Sequence, residues 1–191
     1  MLQIVTAPNS VLSQPAKKVG KIDKDILILI SAMKKSLLSA KDPVGVGLAA
    51  PQVGTTLRMF QMKPNEKSEI TTFINPVIEK IYGGNEIPDF KNSTKAKKPK
   101  ASKDKLLEGC LSLPNIWGNV ARAKKIKLSW QSESGKNFEK IFSGFPAIII
   151  QHEMDHLNGV LFPKRVLEQK GKLYKSHKDE KGEDIFEEIE I

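Results

Sequence analysis

Two histidines four residues apart carry the clearest chemical signal in the sequence. His152 and His156 belong to the segment 151–156, QHEMDH, and residues four apart on an α-helix lie one turn apart on the same face. Both imidazoles can therefore reach one metal ion. Glu153 follows the first histidine and is placed to take a proton from an attacking water instead of binding the metal. Taken alone, this motif predicts metal-dependent hydrolysis.

The third metal ligand decides the class of enzyme, because a catalytic divalent site usually has three protein ligands and a water. The zinc-protease pattern with a third histidine is excluded, since Phe162 stands at that position. Glu168 or Glu180 would complete an endopeptidase-like site, whereas Cys110 would complete a site of one thiolate and two imidazoles. The other histidine, His177, lies in a charged segment and is expected to be solvated. The residues alone leave both sites open.

The neighbours of these candidates favour an apolar substrate pocket. Cys110 is the single cysteine, so it is a buried filler, a ligand or a reactive thiol and cannot form an internal disulfide. Gly109 before it lets the backbone turn tightly and approach another group. Ile148 lies one helical turn before His152, so an apolar wall would adjoin the metal. Such a site would bind a hydrophobic side chain.

Helices and short strands must position these residues. Residues 23–40 carry apolar side chains at the spacing of a helix face. A second helix is predicted to begin after Ser143 as its N-cap, with Pro146 in its first turn, and to end near Gly159. β-Branched or aromatic runs bounded by turn residues predict antiparallel strands at 57–62, 70–74, 77–82, 124–131 and 137–142. The acidic segment 179–191 is expected to lie on the domain as a tail.

Length and composition are those of an ordinary globular protein. The chain has 191 residues, of which 39% are apolar and 28% charged, so we expect a single domain over 1–191 with one core. No apolar run reaches membrane-spanning length, and residues 1–10 do not resemble a secretory signal. We therefore expect a cytoplasmic protein, without a membrane partner, that acts as a monomer.

Most of the excess positive charge lies in one segment. The net charge is +9, and seven lysines against two aspartates give residues 87–105 a contribution of +5. This segment lacks apolar periodicity, which predicts a flexible Lys-rich insert. A solubilising tether is the simpler interpretation, and contact with a phosphate backbone, as in the ribosome, is the alternative.

Three segments together resemble the signature motifs of the peptide deformylase family, in the family's order. They are 45–52 (GVGLAAPQ), 108–112 (EGCLS) and 151–156 (QHEMDH), and the similarity covers roughly residues 2–163. The resemblance implies an α+β fold with antiparallel β-sheets packed around a central helix that carries the HExxH motif. It also implies a metal-dependent amide hydrolase that removes the N-formyl group from the N-terminal formylmethionine of nascent polypeptides and releases formate.

The resemblance assigns a role to each matching residue of this sequence. Cys110, His152 and His156 match the metal ligands, Glu153 the general base, Gln52 and the Leu111 N–H the oxyanion donors, and Val46 and Gly47 the backbone that pairs with the substrate. It implies one divalent ion, with Fe(II) expected natively and Zn(II), Ni(II) or Co(II) as alternatives. Ile148 would contact the methionine side chain.

This sequence departs from the family pattern at two places. Trp117 stands near a position where many members carry an arginine, so it would give the substrate groove an apolar wall. The long basic C-terminal helix by which some members dock on the ribosome is absent, which leaves the Lys-rich insert as the candidate for that contact. Arg122 is expected to pair with Glu108 or Asp155 in support of the ligands.

Two non-hydrolase interpretations are alternatives to this one. The first is an RNA-binding protein whose metal is only structural, and the second is a family member that has lost its activity. Glu153 and Gln52 disfavour both, because a purely structural ion requires neither residue.

Overall fold

The computed structural model describes residues 1–41, 43–86 and 106–190. Its elements are α1 (Lys24–Ser39), β1 (Gly47–Ala49), β2 (Met59–Met62), β3 (Thr71–Glu86), β4 (Glu108–Cys110), β5 (Leu113–Gly118), β6 (Arg122–Gln131), β7 (Asn137–Ser143), α2 (Phe145–Leu157), α3 (Phe162–Glu168), β8 (Leu173–Lys178) and β9 (Asp184–Ile189), with 3₁₀ helices at Ser10–Ser13 and Ala50–Val53. The Lys-rich insert predicted at 87–105 lies outside the described residues, so its flexibility stays a prediction.

The described strands form two antiparallel sheets, and the helix that carries the histidines packs on the larger one. A five-stranded sheet has the order β1-β2-β3-β6-β7, and a four-stranded sheet has the order β4-β5-β8-β9. Helix α2 packs against β6, β1, β7 and β2 of the larger sheet. The predicted α+β fold is therefore confirmed. Within the described part of the chain, none of the helices combines the length and apolar character needed to cross a bilayer.

Helix α2 begins one residue later than the sequence predicted. Ser143 is not its N-cap, because it still pairs with Lys125 as the last residue of β7. The N-cap is Gly144, whose φ of +63° lets the chain turn directly from strand to helix. Pro146 occupies the first turn as predicted. Gly159 follows the helix with a φ of +69°, which agrees with the predicted stop.

The two strands predicted at 70–74 and 77–82 are one strand, β3. The turn signal between them is a β-bulge, with a register shift against β6. Asn75 at the bulge has a φ of +51°. Its side chain accepts the Val19 N–H at 2.8 Å and donates to the Val19 carbonyl at 2.9 Å. The bulge thus accommodates Asn75 and Pro76 without ending the strand.

The described residues form three apolar clusters, and the first of them holds α2. The first lies between α2 and the five-stranded sheet and contains Phe60 and Phe73, whose rings stack at 4.6 Å. The second joins α1 to β1 and β2. The third lies under the smaller sheet and includes Cys110. Each fully buried large side chain contributes about 1.5–3 kcal/mol to stability.

Residues 184–189 of the acidic segment predicted as a tail form β9 of the smaller sheet. Strand β8 pairs with β5 and with β9, so the hairpin extends that sheet by two strands. Ile189 packs against the third apolar cluster. His177 lies on β8, with 46% of its side chain exposed. Strand β9 therefore belongs to the fold.

Candidate metal centre

Three ligand atoms converge where β4 ends beside α2. The sulfur of Cys110 and one ring nitrogen each of His152 and His156 lie within 4.8 Å of one another. Cys110 Sγ lies 3.2 Å from His156 Nε2. Because α2 holds the two histidines one turn apart, their rings face the same strand end, with centroids 5.0 Å apart. This is the arrangement that a tetrahedral metal site requires of its protein ligands.

A two-residue loop presents the cysteine. Cys110 ends β4 and pairs with Leu113 of β5, so Leu111 and Ser112 form the connection. Ser112 is fully buried and its carbonyl accepts the Ala7 N–H at 3.0 Å, which ties the loop to the N-terminal segment. The position of Cys110 is therefore set by the sheet and by the loop that follows it.

A buried ion network supports the histidines from behind. His152 Nδ1 lies 3.0 Å from Glu108 Oε2, which leaves Nε2 as the ring nitrogen for a metal. Arg122 binds Glu108 through two hydrogen bonds of 2.8 and 2.9 Å and binds Asp155 at 2.6 Å. Arg165 reaches the other oxygen of Asp155 at 2.8 Å. The expected pairing of Arg122 is confirmed, and it binds both carboxylates at once.

These neighbours decide the charge of the site. Burial opposes ionisation of Glu108, but Arg122 outweighs it and lowers the carboxyl pKa to about 2. This pair therefore stabilises the fold fully above pH 4.5, and the contribution is lost as the pH falls toward 2. Burial also opposes ionisation of Cys110, but the imidazole of His156 lowers the thiol pKa to about 5. Cys110 is thus a thiolate, the form that binds metals.

Glu153 faces the ligands as a buried carboxyl. It is 3% exposed, and among the described residues its Oε2 has no hydrogen-bond partner. Burial raises its pKa to about 7. A Cβ at Gly47 would lie 2.2 Å from Glu153 Oε1, so only glycine allows β1 to run past this carboxyl. The atom left without a protein partner is suited to bind water or substrate.

Gln52 points an amide toward the thiolate. Its Oε1 accepts the Ala49 N–H at 2.8 Å, which fixes the orientation of the side chain. Its Nε2 then lies 3.4 Å from Cys110 Sγ and 3.3 Å from Ser112 Oγ. Strand β1 and the 3₁₀ helix that follows it directly therefore hold this amide in place.

The remaining predicted residues lie around this cluster at different distances. Leu111 follows Cys110 directly, and Val46 precedes β1 and packs on the first apolar cluster. Ile148 is buried one turn before His152. Trp117 lies on β5, and its side chain packs on the neighbouring strands of the smaller sheet. Its Nε1 donates to Ser176 Oγ at 2.9 Å. The assignment of Trp117 to the substrate groove stays a prediction.

Sequence reasoning missed or misread three neighbours. Ile149 was not singled out, yet its Cγ2 would lie 3.0 Å from a Cβ at Gly47. The apolar run at 147–150, directly before the histidine motif, could have indicated that Ile149 lies beside the site. Gly45, in the first of the three family motifs, lies against Leu37 of α1, so its small size serves helix packing. The partner of the Gly109 backbone is the ring of Trp117, which no pattern indicated.

The alternative glutamate ligands have other surroundings. Glu168 pairs with Arg165 at 3.0 Å, and 46% of its side chain is exposed. Glu180 lies exposed in the turn between β8 and β9. The geometry of the described residues therefore favours Cys110 as the third ligand over either glutamate.

Comparison with known proteins decides the family. The family described as polypeptide deformylase matches residues 1–172. Peptide deformylase 1 of Bacillus cereus is 37% identical over 166 residues, which cover 87% of this chain and 92% of that protein. The peptide deformylase of Borreliella burgdorferi is 37% identical over 183 residues, which cover 95% of this chain and 98% of that protein.

The chain belongs to the peptide deformylase family.

The solved structures agree with this assignment. The crystal structure of the Thermotoga maritima peptide deformylase superposes with a TM-score of 0.71 at 34% identity, covering 86% of this chain and 97% of that one. As a family member, this deformylase is a hydrolase that removes the N-formyl group from nascent polypeptides. The family is metal-dependent, and the triad of Cys110, His152 and His156 gives this chain a suitable site.

The ion network generates a prediction about the stability of the metal-free deformylase. Arg122→Met should lower the free energy of unfolding by about 3–5 kcal/mol, because it leaves Glu108 and Asp155 buried without their partner. Arg165→Met is the matched control, since its partly exposed guanidinium should cost only about 1 kcal/mol. Denaturant unfolding of both variants measures the difference. Equal losses would show that Arg122 does not hold the network together.

Proposed function

We propose that this deformylase cleaves formylmethionine peptides at the site formed by Cys110, His152, His156 and Glu153, releasing formate. The observation that carries the proposal is the buried Glu153 carboxyl, whose Oε2 lacks a hydrogen-bond partner among the described residues beside three convergent ligand atoms. This combination provides a base next to a metal site, whereas a structural site needs no such base.

The donor set fits one divalent cation. A thiolate and two imidazoles suit Fe(II), Zn(II), Ni(II) or Co(II), of which we propose Fe(II) as the native metal. When bound, such an ion would act as a Lewis acid on the formyl oxygen and lower the pKa of a water. Cys110, His152 and His156 would hold it, with Glu108 orienting the ring of His152.

Glu153 would move the proton in this reaction. Its carboxylate takes a proton from the water that attacks the formyl carbon and then delivers it to the leaving nitrogen. A pKa of about 7, raised by burial, suits both steps because the group can gain and lose a proton near neutral pH. The absence of a side chain at Gly47 lets the β1 backbone lie directly beside this carboxyl.

Two N–H donors would stabilise the oxyanion. The Gln52 amide is fixed by its bond to Ala49, so its N–H groups are held toward the site before substrate arrives. The backbone N–H of Leu111 would be the second donor. Donors of this kind contribute about 3 kcal/mol each to transition-state stabilisation.

The substrate would bind as an added strand. Strand β1 is at the edge of the five-stranded sheet, and Val46 and Gly47 would pair with the backbone of the formyl peptide. Ile148 would contact the methionine side chain, and Trp117 would form an apolar wall farther along the groove. We also propose that the enzyme is a cytoplasmic monomer and that the Lys-rich insert, residues 87–105, contacts the ribosome.

The first test concerns the ligands. Cys110→Ser should abolish or change metal binding and with it activity, because a hydroxyl is a poorer ligand than a thiolate. Glu168→Ala and Glu180→Ala are the controls, and both should retain metal and activity. Metal content by elemental analysis and formate release from a formyl-Met peptide are the two measurements. A silent Cys110→Ser beside metal-poor glutamate variants would favour the endopeptidase-like site.

The second test separates metal binding from catalysis. Glu153→Ala should keep the metal and lose about a thousandfold in turnover, because the base is removed and the ligands remain. Glu153→Gln, which preserves the shape of the side chain, should behave in the same way. Metal content and kcat are measured on the same preparations. Loss of metal as the main effect would make Glu153 a ligand and contradict the mechanism.

The third test concerns substrate choice. Formyl-Met peptides should be cleaved about a hundredfold faster than acetyl-Met peptides, because the acetyl methyl would displace the carbonyl carbon between Gln52 and Leu111. Formyl-norleucine should lose little, whereas formyl-Asp should fail because its charge finds no partner. The measurement is kcat/KM on one metal-loaded preparation. Equal rates on formyl and acetyl peptides would indicate a broader amidase.

A further inference from the structure

The C-terminal hairpin lies beyond the region that the family match covers. That match ends at residue 172, and β8 and β9 follow it. Among the described strands of the smaller sheet the order is β4-β5-β8-β9, so β4 pairs there with β5 alone and β5 is held in turn by β8. Strand β4 carries Cys110. The hairpin therefore supports the strand that carries Cys110 through its pairing with β5.

Trp117 is the side chain of β5 that the hairpin holds most directly. Its backbone pairs with Tyr174 of β8, and its indole Nε1 donates to Ser176 Oγ at 2.9 Å. Ser176 is only 7% exposed, so water does not compete freely for this bond. The ring also meets Phe186 of β9 edge to face, with centroids 5.7 Å apart and planes at 75°. Both hairpin strands thus restrain the indole.

The opposite side of the same indole touches the ligand strand. Trp117 pairs with Gly109 across β4 and β5, and a Cβ at Gly109 would lie 2.7 Å from a ring carbon. The indole therefore lies directly against the Gly109 backbone. Gly109 stands between Glu108, which orients His152, and the ligand Cys110. A movement of the ring would shift both groups relative to α2.

We infer that Ser176 and Trp117 are positioning residues for the metal centre, through which the C-terminal hairpin fixes the Cys110 thiolate relative to the two imidazoles. The inference rests on the proposed function for the identity of the ligands. Residues that orient a ligand commonly change metal affinity by about 10–100-fold when replaced. Here the orientation acts through backbone packing on Gly109.

The experiment uses the full-length protein loaded with Co(II). Ser176→Ala and Trp117→Phe each remove the hydrogen bond between the hairpin and the indole, and each should speed loss of Co(II) to a chelator about tenfold. Both should also change the thiolate-to-cobalt absorption, which reports the geometry around sulfur. Because they remove the same bond, the double variant should be little worse than either single one.

Two matched controls separate positioning from general stability. Ser36→Ala removes a buried serine of α1 that bonds the Leu2 N–H at 2.8 Å, and Trp130→Phe alters the other tryptophan, in the larger sheet. Both should lower the melting temperature yet leave cobalt loss and absorption unchanged. If Ser176→Ala and Trp117→Phe behave like these controls, the hairpin is only structural and the inference is wrong.

Failure of the ligand assignment gives a different result. Cys110→Ser should remove the thiolate-to-cobalt absorption altogether. Absence of that absorption from the Co(II)-loaded parent protein, in which Cys110 is the single cysteine, would overturn the proposed ligand set, whatever the hairpin variants do. Its loss in Cys110→Ser, together with unchanged spectra in the hairpin variants, would overturn only the role of Ser176 and Trp117.

Discussion

The guanidinium of Arg122 is the interaction on which the rest of the site depends. Arg122 is the first residue of β6 in the larger sheet, and its guanidinium binds Glu108 of β4 and Asp155 of α2. One side chain therefore joins both sheets to α2. All three groups are less than a tenth exposed. Burying two carboxylates is costly unless a cation neutralises them with good hydrogen bonds, and the two bonds to Glu108 satisfy that condition. The ligands from β4 and α2 meet because this network aligns the elements that carry them.

The same network sets the protonation of the metal centre. Glu108 remains ionised because of Arg122, and an ionised Glu108 can hold His152 by Nδ1 and leave Nε2 to the metal. The Nε2 atom of His156 lies 3.2 Å from the sulfur of Cys110. Glu153 has no such cation bound to it, and burial therefore raises its pKa while that of Glu108 falls. The pKa values of Glu108 and Glu153 are thus shifted in opposite directions because one carboxylate is bound by an arginine and the other is not.

Much of the site could be predicted from local sequence, and the rest depended on contacts between distant segments. Helical spacing was sufficient to bring His152 and His156 together, because a period of 3.6 residues fixes their direction. Nothing local could join Cys110 to them, which required the resemblance to a family. The acidic residues of 179–191 concealed an edge hairpin, since their charges lie on its exposed side chains and obscure the strand pattern. The packing of Trp117 on Gly109 depends on that hairpin and had no signal of its own.

The shortness of β1 bears on how the enzyme could accept peptides of many different sequences. The strand has three residues, and one of its edges has no partner strand among the described residues. A long open edge would attract other chains and promote aggregation, whereas three residues offer only a few main-chain hydrogen bonds. A peptide bound there would be recognised by its backbone, which all proteins share, and would be held weakly. Tolerance of sequence and rapid release of product would then have one origin, the small number of bonds that β1 can make.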